Sequence, residues 1–189
     1  LREQGYPESL IALVERNPET KDFVLDYPKY KGLEEIDISK EVMKGEIPHF
    51  LQWDERWGYE TYGSDFLAVT GCGPTCLSMV TCGLTGDTQW NPYEVAKMAE
   101  DNGYYVDGSG SSWALMSSGA EKLGLTVSSV IFDAEHICAT LEAGQPIICV
   151  MGPGDFTDAG HFLVLTGVDQ EGDIILQDPN SVERTKQHW

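Results

Sequence analysis

The sequence predicts an α+β domain in which helices come first and an antiparallel sheet comes last. Helical segments fill much of the chain before residue 145, whereas three strand-like segments follow one another at residues 146–151, 161–168 and 173–177. The turn sequence Asp-Gln-Glu-Gly at residues 169–172 predicts a hairpin between the last two strands. Strands that follow one another without intervening helices favour antiparallel pairing over alternating β-α-β units.

The chain divides near residue 47 into an N-terminal helical arm and a main domain. Within residues 1–47, residues 7–16 predict a short amphipathic helix, and Asn17-Pro18 ends it. A segment this short cannot bury a core of its own, so we expect it to pack on the domain or to cover part of a cleft. From Ile47-Pro48 onward, the helical pattern of the arm gives way to a strand-like segment and loops. We therefore predict that residues 48–189 form the domain.

The elements of the domain can be predicted in order from capping residues and hydrophobic patterns. Strands are expected at His49–Trp53 and Val127–Phe132, in addition to the three at the end of the chain. Helices are expected from Gly71-Cys72 to Leu84, from Asn91-Pro92 to Asp101, from Trp113 to Leu123 and from Asp133 to Gly144.

The charge of the chain excludes some classes of partner. With 12 basic and 31 acidic residues, the formal net charge is −19 at pH 7, which is unfavourable for binding nucleic acid or an anionic membrane surface. Residues 48–189 hold five of the basic and 20 of the acidic residues. The excess acidity either serves solubility or forms a rim that favours cationic substrates. No apolar run approaches the roughly 20 residues that a membrane-spanning helix needs.

Cys72 lies where a glycine-containing loop meets a predicted helix. Gly71 and Gly73 leave the backbone around it open to close approach, and Pro74 is tolerated in the first helical turn. A thiol at a helix N-terminus meets the positive end of the helix dipole, which lowers its pKa. Free backbone N–H groups of the first turn can also bind an oxyanion. The position is therefore suited to a nucleophile.

The remaining cysteines have a simpler interpretation. Cys76, Cys82, Cys138 and Cys149 lie in apolar stretches, as small core residues do. A metal site or a disulfide joining Cys72 to Cys76 is the alternative to a nucleophile. Their spacing is not that of a zinc finger, however, and no second pair follows it. We therefore expect no metal site and no cofactor.

His161 and Asp178 are predicted to lie side by side. His161 begins the apolar strand after a glycine-containing loop, and Asp178 follows the next strand. A hairpin that turns near residues 171–172 brings the end of its second strand level with the start of its first. Asp178, or else Asn180, can then orient the imidazole, and a Cys–His–acid arrangement results. Taken singly, His161 could be a strand-edge residue and Asp178 a turn former.

Four motifs in a fixed order carry a resemblance to a known family. They are Gln52-x-Asp54-x-Arg56-Trp57-Gly58, Gly71-Cys72-Gly73-Pro74-Thr75-Cys76-Leu77-Ser78-Met79-Val80, Gly160-His161-Phe162-Leu163-Val164-Leu165 and Gln177-Asp178-Pro179-Asn180. From about Pro48 to Asn180, the chain resembles the bacterial papain-like cysteine peptidases related to the bacteriocin-leader (double-glycine) peptidases, in the C-thirty-nine-like branch. The resemblance implies a papain-like fold, with the nucleophile at a helix start packed on an antiparallel sheet.

The resemblance also implies roles for individual residues. It implies Cys72 as nucleophile, His161 as base and Asp178 as orienting residue, and it suggests Gln52 as the oxyanion-hole amide. The leader-processing enzymes carry this glutamine a few residues before the cysteine, where this chain has Phe66, whereas Gln52 lies 20 residues upstream of Cys72. An ordinary polar role for Gln52 therefore stays open.

Two further residues are predicted to contact the substrate. Gly160 directly precedes His161, and Trp113 follows the glycine- and serine-rich loop at residues 108–112. A place in the core is the alternative for Trp113.

The leading functional hypothesis is a cysteine peptidase that hydrolyses peptide bonds in a peptide or protein substrate. One alternative is acyl transfer on the same scaffold, as by an amidase or transpeptidase. Another is a catalytically idle module that binds peptides at the cell surface. The sequence indicates no oligomeric state. The chain starts with Leu rather than Met, and we expect a secreted or envelope-attached bacterial protein whose signal or anchor precedes residue 1.

Overall fold

Seven of the eight α-helices precede the largest sheet in the structure, a computed structural model that describes all residues from Leu1 to Trp189. The eight α-helices are α1 Glu8–Arg16, α2 Lys21–Asp26, α3 Leu67–Thr70, α4 Cys72–Thr85, α5 Pro92–Asp101, α6 Ser118–Lys122, α7 Ala134–Glu142 and α8 Val182–Lys186. Short 3₁₀ turns lie at Arg2–Gln4, Pro18–Thr20, Tyr27–Lys29 and Trp113–Met116. None of the helices is both long and apolar enough to cross a membrane.

Seven strands form three antiparallel sheets. They are β1 Thr61–Tyr62, β2 Asp65–Phe66, β3 Tyr105–Val106, β4 Gly110–Ser111, β5 Ile147–Met151, β6 His161–Val168 and β7 Ile174–Gln177. Strands β1 and β2 form one hairpin and β3 and β4 another, while the third sheet has the order β5-β6-β7. The predicted α+β class is confirmed, and the three final strands lie within one residue of their predicted bounds.

The register of the three-stranded sheet places the first residue of β6 at one edge. His161 lies opposite Met151, and Val164 lies opposite Gln177. Strand β6 starts three residues before Val164, at His161. Because β6 and β7 are antiparallel, the chain that follows Gln177 continues alongside residues 161–163. The loop after β7 is thus brought next to His161, as the hairpin predicted.

Helix α4 is the centre of the main core. It is buried from Gly73 to Gly83 because its residues are small or apolar on every face. It packs against α5 on one side and against β6 on another. The helix is terminated by Gly86, whose φ of 76° lies in the left-handed region that glycine adopts readily. The first residue of α4, Cys72, is consequently held against the sheet.

The N-terminal arm shares a second, smaller core with the domain. Its members from the arm are Leu10, Leu13, Phe23 and Val24, and those from the domain are Tyr59 and Ala68. The rings of Phe23 and Tyr59 stack with centroids 4.2 Å apart, and the Tyr59 hydroxyl donates to the Phe23 carbonyl at 2.6 Å. The arm therefore packs on the domain, and its division from the domain at residue 47 stays a prediction.

Two predicted strands are wrong. Residues 49–53 form no strand, because the backbone N–H of Gln52 donates to the Pro179 carbonyl at 2.7 Å and the segment pairs with the loop after β7 instead. Residues 127–132 also form no strand, and Phe132 is 97% exposed there. A run of β-branched and aromatic residues is a strand only when a neighbouring strand supplies the hydrogen bonds and the packing.

The helix predicted from Trp113 to Leu123 is divided in two. A 3₁₀ turn occupies Trp113–Met116, and α6 begins at Ser118 after Ser117 leaves the helical conformation with φ −115° and ψ −89°. Serine side chains compete for backbone hydrogen bonds, which makes consecutive serines a natural place for such a break.

Candidate active site

Cys72 is the first residue of α4 and is partly buried. Its thiol lies beside the imidazole of His161 and the backbone N–H groups of Phe162 and Gly73. Burial opposes the thiolate, yet the interaction with His161 and then with these N–H groups holds the pKa of the Cys72 thiol below its usual value. The thiol is thus held in a place where its ionised form is stabilised.

His161 is directed by two partners. It begins β6, its side chain is 7% exposed, and its Nε2 donates to Asp178 Oδ1 at 2.7 Å. Because Asp178 takes Nε2, Nδ1 is the ring nitrogen that remains for Cys72. Burial favours the neutral ring, but the hydrogen bond to Asp178 and the interaction with Cys72 outweigh it and raise the pKa of His161 to about 9.

The carboxylate of Asp178 is fully buried and accepts three hydrogen bonds. Its Oδ1 accepts from His161 Nε2 and, at 2.8 Å, from the backbone N–H of Asn180, while its Oδ2 accepts from Arg184 Nε at 2.6 Å. Burial disfavours the carboxylate, but the contacts with His161 and then with Arg184 keep the pKa of Asp178 below its usual value. Of the two predicted orienting residues, Asp178 contacts the imidazole, whereas Asn180 contacts Asp178.

Gln52 is buried close to this group. Its side-chain Nε2 donates to the Ala68 carbonyl at 2.8 Å, and its Oε1 is buried without a hydrogen-bond partner. The second hydrogen of Nε2 has only a long contact, 3.5 Å, with the Val69 carbonyl. Gln52 lines the same cavity as Cys72 and His161. The fold therefore brings together the four residues predicted as catalytic, although Gln52 is distant in sequence.

The cavity has a volume of about 370 Å³ and is open to solvent along one side. The arm contributes Leu13, Arg16 and Asn17, the loop before β6 contributes residues 154–160, and Gln52, Val69, Cys72, His161, Asn180 and Arg184 complete the lining. Its charged residues are two arginines, Arg16 and Arg184, and two aspartates, Asp155 and Asp158. The acidic excess of the chain is therefore not concentrated around Cys72.

A larger cleft of about 460 Å³ beside Tyr30 contains neither cysteine nor histidine.

The two predicted substrate-binding residues lie in different places. Gly160 lines the cavity, next to His161. Trp113 is not part of the lining, and 72% of its surface is exposed, so its alternative placement in the core is wrong. Contact of Trp113 with a substrate stays a prediction.

The other cysteines differ from Cys72 in environment. All five cysteines are free, and no cluster of three or more His, Cys, Asp or Glu side chains is arranged to hold a metal. Cys76 and Cys82 are buried, as predicted for core residues, while Cys138 and Cys149 are only partly buried. Burial raises the pKa of Cys76, and it raises those of Cys82 and Cys149 to about 11. These thiols are therefore poorer nucleophiles than Cys72 near neutral pH.

One contributor to the site had not been predicted, since Arg184 holds Asp178. The arm supplies part of the cavity wall, in line with the expectation that it packs on the domain or covers part of a cleft. The stretch from residue 123 to residue 183 contains no Lys or Arg. Arg184 lies one residue beyond it, and the one available sequence signal was the capping residue Ser181, whose hydroxyl accepts the Arg184 N–H.

Gly73 allows the loop that carries β4 to approach the start of α4. A Cβ on residue 73 would lie 2.4 Å from Ser111 Oγ and 2.7 Å from Ser111 Cβ. The Ser111 hydroxyl is also hydrogen-bonded to Tyr62 at 2.7 Å. Rotation of the hydroxyl cannot relieve the second overlap, because Cβ is attached to the backbone.

Gly73→Ala is accordingly expected to destabilise the protein by about 1–3 kcal/mol, the usual cost of overpacking a core. Without the overlap, alanine would stabilise a helix relative to glycine, so the sign of the change is diagnostic. Thermal unfolding followed by circular dichroism measures it. Gly152→Ala is the matched control, since no atom lies within 4 Å of the added Cβ. A Gly73 variant as stable as the wild type would contradict the close approach.

Comparisons with known proteins identify a family. The model of the family described as "Peptidase_C39 like family" matches residues 44–189, which includes all of the residues that surround Cys72 except those of the arm. No curated protein and no solved structure matches the chain.

Proposed function

Because the chain belongs to the Peptidase_C39 like family of peptidases, we propose that it is a cysteine peptidase with Cys72 as nucleophile, His161 as general base and Asp178 as orienting acid. The observation that carries the proposal is the presence of Cys72 and His161 together in the wall of one open cavity, with His161 hydrogen-bonded to the buried Asp178. A peptide entering that cavity meets the sulfur and the imidazole together. The predicted substrate is a peptide or protein.

In the first half of the reaction, His161 Nδ1 accepts the proton of Cys72 and the thiolate attacks the carbonyl carbon of the scissile peptide bond. The carbonyl oxygen becomes an oxyanion, which the backbone N–H of Cys72 and the second Nε2 hydrogen of Gln52 stabilise. The protonated His161 then donates its proton to the leaving amine as the C–N bond breaks. The first product leaves and a thioester on Cys72 remains.

In the second half, a water molecule attacks the thioester while His161 accepts its proton. The C–S bond breaks, the carboxylic acid product leaves, and Cys72 and His161 return to their starting state. Throughout, Asp178 keeps Nε2 protonated and the ring directed at Cys72, and it stabilises the imidazolium that forms.

The proposal is tested with a library of peptides that vary in charge. Product masses should show cleavage of peptide bonds with addition of one water, and trapping at low pH should leave an acyl group on Cys72 and on no other cysteine. Products joined to an added amine instead of water would indicate acyl transfer. Peptide binding without any turnover would support an idle module and overturn the proposal.

The pH dependence of the site follows from the two shifted pKa values. The pKa of Cys72 is lowered and that of His161 is raised to about 9, and both shifts favour a thiolate–imidazolium ion pair. Alkylation by iodoacetamide requires only the thiolate and should proceed faster at pH 7 than alkylation of a free cysteine, whose pKa is about 8.5. Hydrolysis also requires the proton of His161, and kcat/KM should fall as the pH rises through about 9.

The two pH profiles must therefore diverge above pH 9, where alkylation continues and hydrolysis declines. Rates of iodoacetamide labelling at Cys72, measured by mass spectrometry, are compared with kcat/KM across the same buffers. An alkylation rate that follows the titration of an ordinary thiol would contradict the ion pair.

A further inference from the structure

Arg184 lies on the side of Asp178 that faces away from His161. Its Nε donates to Oδ2 at 2.6 Å, and its side chain is 25% exposed while that of Asp178 is fully buried. His161 and Arg184 thus divide the two carboxylate oxygens between them. A buried carboxylate is unfavourable unless its charge is compensated and its lone pairs accept hydrogen bonds, and Arg184 supplies both.

The other titratable groups near Asp178 cannot replace Arg184. His49 donates from Nε2 to the backbone carbonyl of Asp178 at 2.6 Å, and burial lowers the pKa of His49, so it is neutral at pH 7. His161 lies on the opposite side of the carboxylate, at Oδ1, and Cys72 lies beyond it. Glu19 of the arm carries a carboxyl group, which cannot supply a positive charge. Arg184 is therefore the one permanent cation in contact with the Asp178 carboxylate.

The segment that carries Arg184 is fixed by the N-terminal arm. Glu19 accepts the Val182 N–H at 2.8 Å and the Glu183 N–H at 3.3 Å, and it also accepts the Ser181 hydroxyl. Asn17 Nδ2 donates to the Asn180 carbonyl at 2.6 Å. The first N–H groups of a helix have no partners within the helix, so Glu19 supplies the partners that α8 lacks.

We propose that Arg184 is a positioning residue that keeps Asp178 ionised and directed at His161, and that Glu19 of the arm holds the segment carrying it. The proposal rests on the proposed function of the site. It makes the arm a working part of the site rather than an appendage, since a contact across 163 residues of sequence connects the arm to the orienting acid.

The first experiment compares Arg184→Gln with Arg184→Lys. Removal of a cation disfavours every nearby anion and favours every nearby cation, so the pKa values of Cys72, Asp178 and His161 all rise in Arg184→Gln. Both limbs of the kcat/KM profile should shift to higher pH by roughly 0.5 to 1 unit. This is at the low end of the pKa shifts that a neighbouring charge causes, because Arg184 is partly exposed to solvent, which screens its charge. The maximum should fall roughly ten- to a hundredfold, as expected for loss of one charge-assisted hydrogen bond.

Arg184→Lys keeps the charge and should restore the wild-type pH limbs while leaving kcat reduced, because an ammonium lacks the fixed geometry of the guanidinium. A role confined to structure would lower the profile without shifting it, and Lys would give no such rescue. Lys186→Gln is the matched control, since it removes the same charge from an exposed position of α8 and should leave the profile unchanged. Should Arg184→Gln not fold, Arg184→Lys decides the matter, since wild-type kcat in that variant would overturn the positioning role.

The second experiment tests the arm with Glu19→Gln. It should lower kcat more than KM changes, in the same direction as Arg184→Gln but by a smaller factor, because Arg184 itself remains. Glu15→Gln, at an exposed position of the same arm, is the control and should behave as wild type. A Glu19 variant with unchanged kcat would remove the arm from the proposal.

Alkylation of Cys72 by iodoacetamide is followed over the same pH range in every variant. This measurement distinguishes a failure of the proposed peptidase function from a failure of the proposed role of Arg184. A wild-type protein that hydrolyses no peptide overturns the proposed function alone, because the alkylation profile still reports whether Arg184→Gln shifts the thiol. An active wild type whose limbs stay in place in Arg184→Gln overturns the role of Arg184 alone.

Discussion

Replacing Cys72 with alanine is expected to abolish peptide hydrolysis and leave the protein folded. The sulfur is the only protein atom that bonds to the carbonyl carbon of the substrate in the proposed reaction, and no other thiol is placed in the cavity. Loss of the nucleophile from a comparable triad lowers kcat by about 10⁶-fold and leaves only the contribution of binding and of the oxyanion hole. Activity should therefore fall below the detection limit of a peptide assay, while thermal unfolding changes by a few degrees at most.

The matched control is Cys138→Ala, which makes the same chemical change at another partly buried thiol. It should retain wild-type kcat/KM. Iodoacetamide labelling at pH 7 should lose its main site in Cys72→Ala and keep it in Cys138→Ala. Activity within about tenfold of wild type in Cys72→Ala, or rapid labelling that persists at a different cysteine, would move the nucleophile elsewhere.

The parts of the site that could be predicted from sequence depend on local geometry. Cys72 follows from a loop, a glycine and an apolar helix that are contiguous in the chain, and the structure begins α4 at that residue. The pairing of His161 with Asp178 follows from a hairpin whose turn and strands are all visible in 17 residues. In both cases the relevant contact is fixed by one or two adjacent elements, so periodicity and turn chemistry suffice.

The parts that could not be predicted depend on contacts between distant segments. Asn17 and Glu19 meet residues 180–183 across more than 160 positions, and nothing in the local pattern of the arm indicates where it docks. The same limit explains the segment at residues 49–53, where a mostly apolar and aromatic run predicted a strand. Its backbone partner is the loop after β7, and Phe50 is buried by the main core instead of by a sheet.

Gln52 illustrates how a fold overrides spacing in sequence. Its distance of 20 residues from Cys72 argued against a shared site, since related enzymes carry the glutamine much closer. The bond from Gln52 Nε2 to the Ala68 carbonyl brings the side chain back to the segment just before α4. The charge of −19 is a converse case. A count over the chain left open both solubility and an acidic rim for cationic substrates, and the cavity lining has equal numbers of arginines and aspartates.

Asp178→Asn is expected to cause the second largest loss, because the amide cannot satisfy the partners of the carboxylate. Oδ1 accepts from His161 and from the Asn180 N–H, and Oδ2 accepts from Arg184. If the new NH₂ group replaces Oδ1, it faces the Asn180 N–H and donates to His161 Nε2, which forces the proton onto Nδ1. If it replaces Oδ2, two donors face each other, since a guanidinium cannot accept.

The first orientation removes the acceptor nitrogen that Cys72 needs, and the second loses Arg184. Where the same substitution imposes the wrong tautomer in a comparable triad, kcat falls by about 10⁴-fold, and we expect a loss of about 10³- to 10⁴-fold here. Asp173→Asn is the matched control, because Asp173 is exposed and its side chain makes no hydrogen bond within the protein. Circular dichroism should show both variants folded.

The second substitution Arg184→Gln should partly relieve the defect, because a glutamine oxygen can accept the NH₂ group that Arg184 repels. The asparagine can then turn its oxygen toward His161 and restore the working tautomer. The fold loss of kcat in the double variant should consequently be smaller than the product of the two single losses. A double-mutant cycle measures this coupling directly. Strict additivity, or an Asp178→Asn variant within about tenfold of wild type, would show that the carboxylate does not set the tautomer of His161.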